Sequence, residues 1–188
     1  FDKFVNKTRL NLVYKLLQYF LRKKIFSELR KNEKSTIPNS TKIGNYTNCI
    51  ISPDAYIYFG NKIDIRNNCN FVIGKKAELK IGDAVFMNNS CSINCLEKIE
   101  IGENTLFGEA VKIYDHNHQY SSEKVEQQQF NTSPIKIGKN CWLGSNVIVL
   151  KGVEIGDNSI IGAGCIIYKN IPAGSVVINQ QELVIKTL

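Results

Sequence analysis

Aliphatic residues recur at a spacing of six in the last third of the chain, at Ile137, Leu143, Val149, Ile155, Ile161 and Ile167. Each begins a short unit that continues with glycine or polar residues and reaches a small or branched residue at its fifth position. This period fits neither an isolated α-helix nor a chain of hairpins, because their side-chain periods are about 3.6 and 2 residues. It predicts a parallel β-helix, in which each unit adds one short strand and one turn.

The first and fifth positions of each unit are predicted to face a narrow core. The fifth position is occupied by Cys141, Val147, Val153, Ser159, Cys165 and Ile171. Glycine and asparagine between these positions supply the backbone angles that tight corners require. Because each coil buries its apolar surface only against its neighbours, several coils must stack before the structure is stable.

The same period continues upstream with interruptions. It recurs at Ile81, Met87 and Ile93, and again at Ile101, Phe107 and Ile113. The eight-residue step from Ile93 to Ile101 predicts a small insertion around Leu96 to Ile99. Strict phase is lost further upstream, at Ile43, Ile57, Ile63 and Ile73. We therefore expect an all-β solenoid domain over residues 35–178, followed by a C-terminal tail over residues 179–188.

A different pattern occupies the N-terminal segment, residues 1–34. Apolar residues recur at three- and four-residue spacing from Leu10 to Leu29, which predicts an amphipathic α-helix over about residues 2–33. Residues 1–42 hold 11 Lys and Arg against 3 Asp and Glu, whereas the rest of the chain is nearly neutral. A cap over the open end of the solenoid is the favoured role, and contact with an anionic membrane surface is the alternative.

Length and composition restrict the class of protein. The 188 residues suffice for one domain with a substantial core, and no apolar run reaches the roughly 18 residues of a membrane-spanning helix. We expect no cleavable signal peptide. The near-neutral repeat domain argues against nucleic-acid binding. The six cysteines form no CxxC pair, so reduced core cysteines in a cytoplasmic protein are favoured over disulfides or zinc.

The longest break in the period lies over residues 114–134, which are polar and rich in glutamine. A loop of this length within a tight coil is typically functional or disordered. Both histidines of the chain, His116 and His118, stand at its start beside Asp115. A histidine held there can accept a proton near neutral pH. Metal binding by these three residues is the competing interpretation, although a zinc site of the carbonic-anhydrase type would need a third histidine.

From Phe86 to Lys169 the chain resembles the hexapeptide-repeat, left-handed β-helix acetyltransferases. The resemblance rests on VKIYDHNH and on PIKIGKNCWLGSNVIVLKGVEIGDNSIIGAGCIIYKNIP. It is strongest to the galactoside, maltose, and capsule or lipopolysaccharide O-acetyltransferases. It implies a left-handed parallel β-helix, a homotrimer, and acetyl-CoA bound in a groove between adjacent coils, with no metal.

The resemblance also implies roles for individual residues. His118 matches the general base, which takes a proton from an acceptor hydroxyl as that hydroxyl attacks the thioester directly. Ser145 matches the residue whose backbone N–H stabilises the oxyanion, so loss of its hydroxyl should cost little. Asn88 matches an asparagine that holds the acceptor or the base. We expect Asp115 and His116, together with Asn88, to contact the acceptor.

The matches to the acetyl-CoA groove are Trp142, Gly144, Ser145, Ala163, Tyr168, Lys169 and Lys186. Trp142 is expected to contact the pantetheine arm or to pack at the trimer interface. The tail departs from the family pattern, because a glycine, a proline and a first basic residue that cover the nucleotide in relatives are missing from it.

The residues and the resemblance together predict an acetyl-CoA-dependent O-acetyltransferase. Its acceptor would be a sugar hydroxyl in bacterial surface-polysaccharide synthesis (capsule or lipopolysaccharide), in the cytoplasm or at the inner face of the membrane. Acetylation of an amino sugar is the alternative within enzymes. A non-catalytic trimeric scaffold is the alternative from another class.

Overall fold

A computed structural model describes residues 33–180 and, before them, Leu16, Leu17, Phe20, Lys23, Ile25, Ser27 and Leu29. The described chain winds into a solenoid of parallel strands with three flat sheets, called here faces A, B and C. Successive coil strands visit the faces in the order A, B, C, so that each coil adds one strand to each face. The predicted all-β solenoid is confirmed.

Each face is a continuous parallel sheet. Face A consists of β1 (Ser35–Thr36), β4 (Tyr56–Phe59), β7 (Glu78–Ile81), β10 (Lys98–Ile101), β15 (Ile135–Ile137) and β18 (Glu154–Ile155). Face B consists of β2 (Lys42–Ile43), β5 (Asp64–Ile65), β8 (Phe86–Met87), β11 (Leu106–Phe107), β16 (Trp142–Leu143), β19 (Ile160–Ile161) and β21 (Val176–Val177). Face C consists of β3 (Asn48–Ile51), β6 (Asn70–Ile73), β9 (Ser92–Cys95), β12 (Lys112–Tyr114), β17 (Ile148–Leu150) and β20 (Ile166–Ile167).

The core is a set of side-chain columns that run along the solenoid. Ile101 pairs with Ile137, and Ile137 pairs with Ile155, so that three buried isoleucines from successive coils stack. Side chains alternate along each strand, as strand geometry requires: Ile135 and Ile137 are buried, while Lys136 between them is exposed. All six residues predicted at the fifth position are buried.

The upstream coils are longer than the downstream coils, which explains the loss of phase. Ile57 pairs with Leu79, 22 residues later, whereas Ile137 pairs with Ile155, 18 residues later. The upstream strands of faces A and C have four residues, so each carries a second inward side chain. The same solenoid therefore continues without a strict six-residue step.

The predicted small insertion between Ile93 and Ile101 is confirmed relative to the downstream coils, because the equivalent residues Val149 and Ile155 are six residues apart and not eight. The strands take up the two extra residues, since β9 and β10 have four residues each and Ile101 is the second inward residue of β10. Only Leu96 and Glu97 lie between β9 and β10. This corner is thus two residues shorter than the corresponding corner one coil earlier, which spans residues 74–77.

Close approach between coils explains the glycines at the corners. A Cβ atom on Gly102 would lie 2.5 Å from the backbone nitrogen of Lys139 one coil away. Real Cβ atoms do not approach backbone this closely, so a side chain at this position would force the coils apart. The asparagines Asn140 and Asn158 adopt positive φ angles of 54° and 59°, which this residue type tolerates better than most.

Leu29 lies against the first coil and is 3% exposed, and Ile25 is partly buried against the same core. Leu29 lines a small internal cavity together with Ile43 and Cys49, which agrees with the expectation of a cap. The predicted helix over residues 2–33 lies largely outside the described residues and stays a prediction. Within the described part of the chain, no helix is both long and apolar enough to cross a membrane.

The alternation in β15 can be tested with two neighbouring substitutions. Ile137→Ala removes a buried side chain and should lower the free energy of unfolding by about 2–5 kcal/mol. Lys136→Ala should leave the denaturation midpoint nearly unchanged, because Lys136 points to solvent and its bond to Glu154 is a surface ion pair. Chemical denaturation followed by circular dichroism measures both. Equal effects would contradict the assigned direction of the side chains.

A candidate active site divided between two corners

The break at residues 114–134 is a β-hairpin and not an irregular loop. Strand β13 (His116–Tyr120) pairs antiparallel with β14 (Val125–Thr132). The hairpin leaves the solenoid at the corner between faces C and A, called here the C–A corner. Its pairing is irregular between His118 and Tyr120. Such bulges are common beside active sites, where they redirect a side chain.

His118 is exposed on this hairpin, and its ring is oriented by two contacts. Its Nδ1 lies 2.9 Å from the backbone oxygen of Glu126. A carbonyl oxygen can only accept, so Nδ1 carries the proton and Nε2 keeps its lone pair. The ring also lies 4.7 Å from the ring of Phe130, the residue opposite His118 across the hairpin. His118 therefore has the tautomer that a general base at Nε2 needs.

Asp115, expected to contact the acceptor, is fully buried. Its carboxylate accepts hydrogen bonds from the backbone N–H groups of Leu96, Glu97 and Lys98 at 2.8–3.0 Å. It also lies 3.0 Å from Nδ1 of His116. The expectation is corrected, because a carboxylate enclosed in this way cannot contact a substrate.

His116 lies on the same hairpin strand as His118 and contacts the same phenylalanine. Its ring meets Phe130 edge-on at 5.2 Å, with the two planes at 85°. The carboxylate of Asp115 accepts a hydrogen bond from Nδ1–H of His116. The Nε2 atom of His116 is therefore also unprotonated when the ring is neutral. The side chain is 16% exposed, so His116 is the more enclosed of the two histidines.

A second group of predicted residues stacks at the corner between faces B and C, called the B–C corner. Met87, Phe107, Leu143 and Ile161 are in register, so the residues that follow them also stack. Asn88, Gly144, Ser145 and Ala163 thereby share this corner, with Asn88 two coils before Gly144 and Ser145, and Ala163 one coil after them. A Cβ atom on Gly144 would lie 2.6 Å from the nitrogen of Ala163, so only glycine fits there.

Ser145 offers its backbone N–H at the B–C corner. Its hydroxyl accepts a hydrogen bond from the N–H of Glu109 at 3.2 Å, and its carbonyl accepts one from Gly164. Its own N–H has no hydrogen-bond acceptor among the described residues. An N–H fixed in a rigid corner and available to a ligand is the kind of donor that stabilises an oxyanion.

Exposed apolar columns lie on the two faces that flank the B–C corner. Trp142 is 53% exposed and stands in line with other large apolar side chains on face B, namely Leu106, Ile160 and Val176. On face C, Ile166 is 54% exposed and lies above Ile148. On face A the exposed side chains of neighbouring strands instead carry opposite charges, as in the ion pair between Lys136 and Glu154. Aligned apolar residues of this kind mark a surface that is covered by a partner or a ligand.

Tyr168 and Lys169 follow β20 directly and so lie at the C–A corner, one coil beyond Leu150 and two beyond Tyr114. Both side chains are exposed. They therefore lie on the side of the hairpin and not on the side of Trp142. Lys186 lies outside the described residues.

One protomer does not bring all the predicted residues together. The strand of face C separates the two corners, and three to four extended residues span roughly 10–13 Å. Asn88, Trp142, Gly144, Ser145 and Ala163 lie at or beside the B–C corner, and His116, His118, Tyr168 and Lys169 at the C–A corner. The two groups can meet only if different protomers supply them.

Sequence reasoning missed two residues of the site. Glu126 acts through its backbone carbonyl, so its side chain carries no signal. Phe130 contacts both histidines, and a lone phenylalanine in a glutamine-rich stretch was the available signal. No cluster of three or more histidine, cysteine, aspartate or glutamate residues suited to a metal occurs in the described part of the chain.

The cysteines are unsuited to nucleophilic chemistry. All six are free, and five are buried. Burial raises the pKa of Cys49 to about 12. Burial, followed by the charge of Asp115, raises the pKa of Cys95 above its usual range. A hydrogen bond with Cys91 lowers the pKa of Cys69, but this thiol is 1% exposed. A reactive thiolate needs both a low pKa and access.

Residues 134–169 match the family model described as the hexapeptide repeat of succinyl-transferase. Nodulation protein L of Rhizobium meliloti (strain 1021) is 42% identical over 91 residues, covering 46% of this chain and 50% of that protein. The putative lipopolysaccharide biosynthesis O-acetyl transferase WbbJ of Escherichia coli (strain K12) is 30% identical over 103 residues, covering 50% and 53%. Together these matches support a relationship to the hexapeptide-repeat acetyltransferases.

A solved structure shows the same similarity. The hexapeptide-repeat containing acetyltransferase of Vibrio cholerae O1 biovar eltor, crystallised with acetyl coenzyme A, superposes with a TM-score of 0.58 and 25% identity over 63% of each chain. This chain spans about half the length of the curated relatives it matches.

The state of the thiols gives a direct check on the site chemistry. At neutral pH the folded protein should react slowly with a chromogenic thiol reagent, because five of the six cysteines are buried and the pKa values of Cys49 and Cys95 are raised. Unfolding in denaturant should release all six thiols. A thiol that reacts within seconds in the folded protein, with loss of turnover, would contradict a site without a cysteine nucleophile.

Proposed function

We propose that this protein is an acetyl-CoA-dependent O-acetyltransferase that acts on a sugar hydroxyl in bacterial surface-polysaccharide synthesis. The observation that carries the proposal is the oriented ring of His118, whose Nδ1–H is held by the carbonyl of Glu126. The similarity to a putative lipopolysaccharide O-acetyl transferase and to an acetyltransferase crystallised with acetyl coenzyme A supports the choice of substrates.

The proposed reaction is a direct transfer. Nε2 of His118 accepts the proton of the acceptor hydroxyl while its oxygen attacks the thioester carbonyl carbon. The negative charge that develops on the carbonyl oxygen is stabilised by the backbone N–H of Ser145. The carbon–sulfur bond then breaks, and the departing thiolate takes the proton from the imidazolium of His118. Since the amide of Ser145 acts, its hydroxyl is dispensable.

The site is completed between protomers of a homotrimer. The C–A corner of one protomer supplies His118, and the B–C corner of its neighbour supplies Ser145. A head-to-tail contact that closes after three copies forms three such sites. It also covers the apolar columns around Trp142 and Ile166, which are exposed in the single protomer.

The two corners divide the ligands between them. Trp142, Gly144 and Ala163 line the pantetheine arm, and Tyr168 with Lys169 and Lys186 hold the nucleotide end, where ammonium groups suit phosphate. Asn88 and His116 contact the acceptor. The protein acts in the cytoplasm, and exposed Leu16, Leu17 and Phe20 favour contact of the N-terminal segment with the inner membrane face.

An amino sugar is the second acceptor class, because the same Nε2 can accept a proton from an amine. Paired hydroxyl and amino sugars of one configuration, assayed by release of free coenzyme A, distinguish the two classes. The remaining alternative is a trimeric scaffold without catalysis. Calorimetry that found no binding of acetyl-CoA at millimolar concentration would favour it.

Replacement of the base tests the proposal. His118→Ala should lower turnover about 100-fold or more, as expected for loss of a general base. Binding of acetyl-CoA should persist, since its contacts come from other residues. Turnover is followed by thiol release and binding by calorimetry. A variant with wild-type turnover would refute the role of His118.

Mixing two inactive variants tests the shared site. His118→Ala disables the C–A corner, and Ala163→Trp fills the B–C corner. After subunit exchange, about one quarter of the sites in random trimers combine two intact corners, so about a quarter of wild-type turnover should return. The unmixed variants are the controls. Mixed trimers that stay inactive would contradict a site built from two protomers.

A further inference from the structure

We propose that Asp115 is a positioning residue for His118, which fixes the catalytic hairpin to the coil below it. This inference rests on the function proposed above. It concerns a buried carboxylate that the reaction itself does not use.

The carboxylate of Asp115 is built into the corner between β9 and β10. Three consecutive backbone N–H groups, of Leu96, Glu97 and Lys98, point at its two oxygens. A buried carboxylate is costly unless it is hydrogen-bonded, and this one has four bonds to backbone donors. Removing the charge would leave buried donors without an adequate acceptor.

The shortness of this corner follows from that arrangement. The C–A corners of the two earlier coils have four residues each, spanning 52–55 and 74–77, and close on backbone hydrogen bonds. The corner at Leu96 and Glu97 has only two residues, and the side chain of Asp115 from the next coil satisfies its N–H groups. The coil below and the base of the hairpin are thus joined by one side chain.

Both legs of the hairpin are fixed at the same point. The backbone oxygen of Asp115 accepts a hydrogen bond from the N–H of Ser133 at 2.8 Å. The oxygen of Ser133 in turn accepts one from the N–H of Gly152, in the coil above, at 3.1 Å. Asp115 therefore stands at the centre of a set of bonds that runs from the lower coil through the hairpin base to the upper coil.

The connection from Asp115 to His118 has two steps. His116 donates from Nδ1 to the carboxylate and places the edge of its ring on Phe130. Phe130 lies directly across the hairpin from His118 and contacts its ring at 4.7 Å. A shift of Asp115 would move His116, then Phe130, and with it the imidazole whose Nε2 must meet the acceptor.

Asp115→Asn keeps the size of the side chain but replaces one acceptor oxygen by a donor that faces backbone N–H groups. We expect kcat to fall about 10- to 100-fold, because a misplacement of about 1 Å can cost about 100-fold. The KM for acetyl-CoA should change less than about twofold, since its contacts lie elsewhere. Wild-type kcat in the folded variant would overturn the proposal.

Asp54→Asn is the matched control. Asp54 also lies at a C–A corner, where its carboxylate accepts hydrogen bonds from the hydroxyl of Ser52 and the N–H of Lys76. It is three coils from the hairpin and has no part in the site. Its substitution should leave kcat at the wild-type value. An equal loss of kcat in both variants would indicate general destabilisation and overturn the proposal.

His116 provides a second pair of variants that leave the backbone bonds of Asp115 intact. The Nδ2 of an asparagine can replace Nδ1 of the histidine as a donor to Asp115, whereas a leucine of similar size cannot. Both variants lose the imidazole, so any difference between them reports the bond to Asp115. We expect the kcat of His116→Asn to be about fivefold or more higher than that of His116→Leu, because only the asparagine keeps the bond that positions the hairpin. Equal kcat values would overturn the proposal.

The histidine rings give a readout that needs no substrate. The chain has only two histidines, so a sample labelled with ¹⁵N-histidine shows two rings, which the variants at each position assign. In the wild type His118 should be protonated at Nδ1 when neutral. In Asp115→Asn this single form should be lost or broadened. Unchanged His118 resonances would overturn the positioning role, whatever the assays say about the proposed reaction.

Discussion

The parallel ladder between coils determines everything else in this molecule. Each residue lies in register with its equivalent one coil away and hydrogen-bonds to the residues on either side of that equivalent, so a side chain's surroundings are set by the residues above and below it. The core columns, the glycines that allow close approach at Gly102 and Gly144, and the corner stacks are consequences of this register. A ladder of this kind is stiff, because moving one residue breaks bonds to two coils. It therefore gives catalytic groups fixed positions on corners and leaves loops as the place for variation.

The same register separates the candidate residues. Everything that follows a face-B strand lies at one corner, and everything that follows a face-C strand lies at another. His118 and Ser145 consequently cannot share a site within one protomer, however close they stand in sequence. In the trimer proposed above, a second protomer covers the apolar columns on faces B and C, which are exposed in the single chain, with its C–A corner. On this account, the protein is catalytically active only when it is assembled.

The sequence predicted the solenoid because its period survives in single residues: Ile137, Leu143 and Val149 each mark one strand. It failed where strands have four residues, since a second inward side chain, such as Phe59 or Ile101, looks like a loss of phase. The burial of Asp115 could not be predicted, because its partners lie about a coil earlier and are backbone groups. The hairpin was not predicted, because both of its strands consist mainly of polar residues and so show no alternation of apolar and polar positions. His116 and His118 were singled out because they are the only two histidines of the chain and both stand at the start of the break, and the choice of His118 as the base stays a prediction.

The central claim is that the imidazole of one protomer acts on an acyl group held at the B–C corner of the next. The most direct measurement is a crystal structure of the assembled protein with an unreactive acetyl-CoA analogue. The account predicts that Nε2 of His118 lies within about 5 Å of the acyl carbonyl, close enough to activate a hydroxyl between them. It also predicts that the N–H of Ser145 on the neighbouring protomer points at the carbonyl oxygen. An analogue bound with both groups from one chain, or with His118 remote from the acyl carbon, would contradict it.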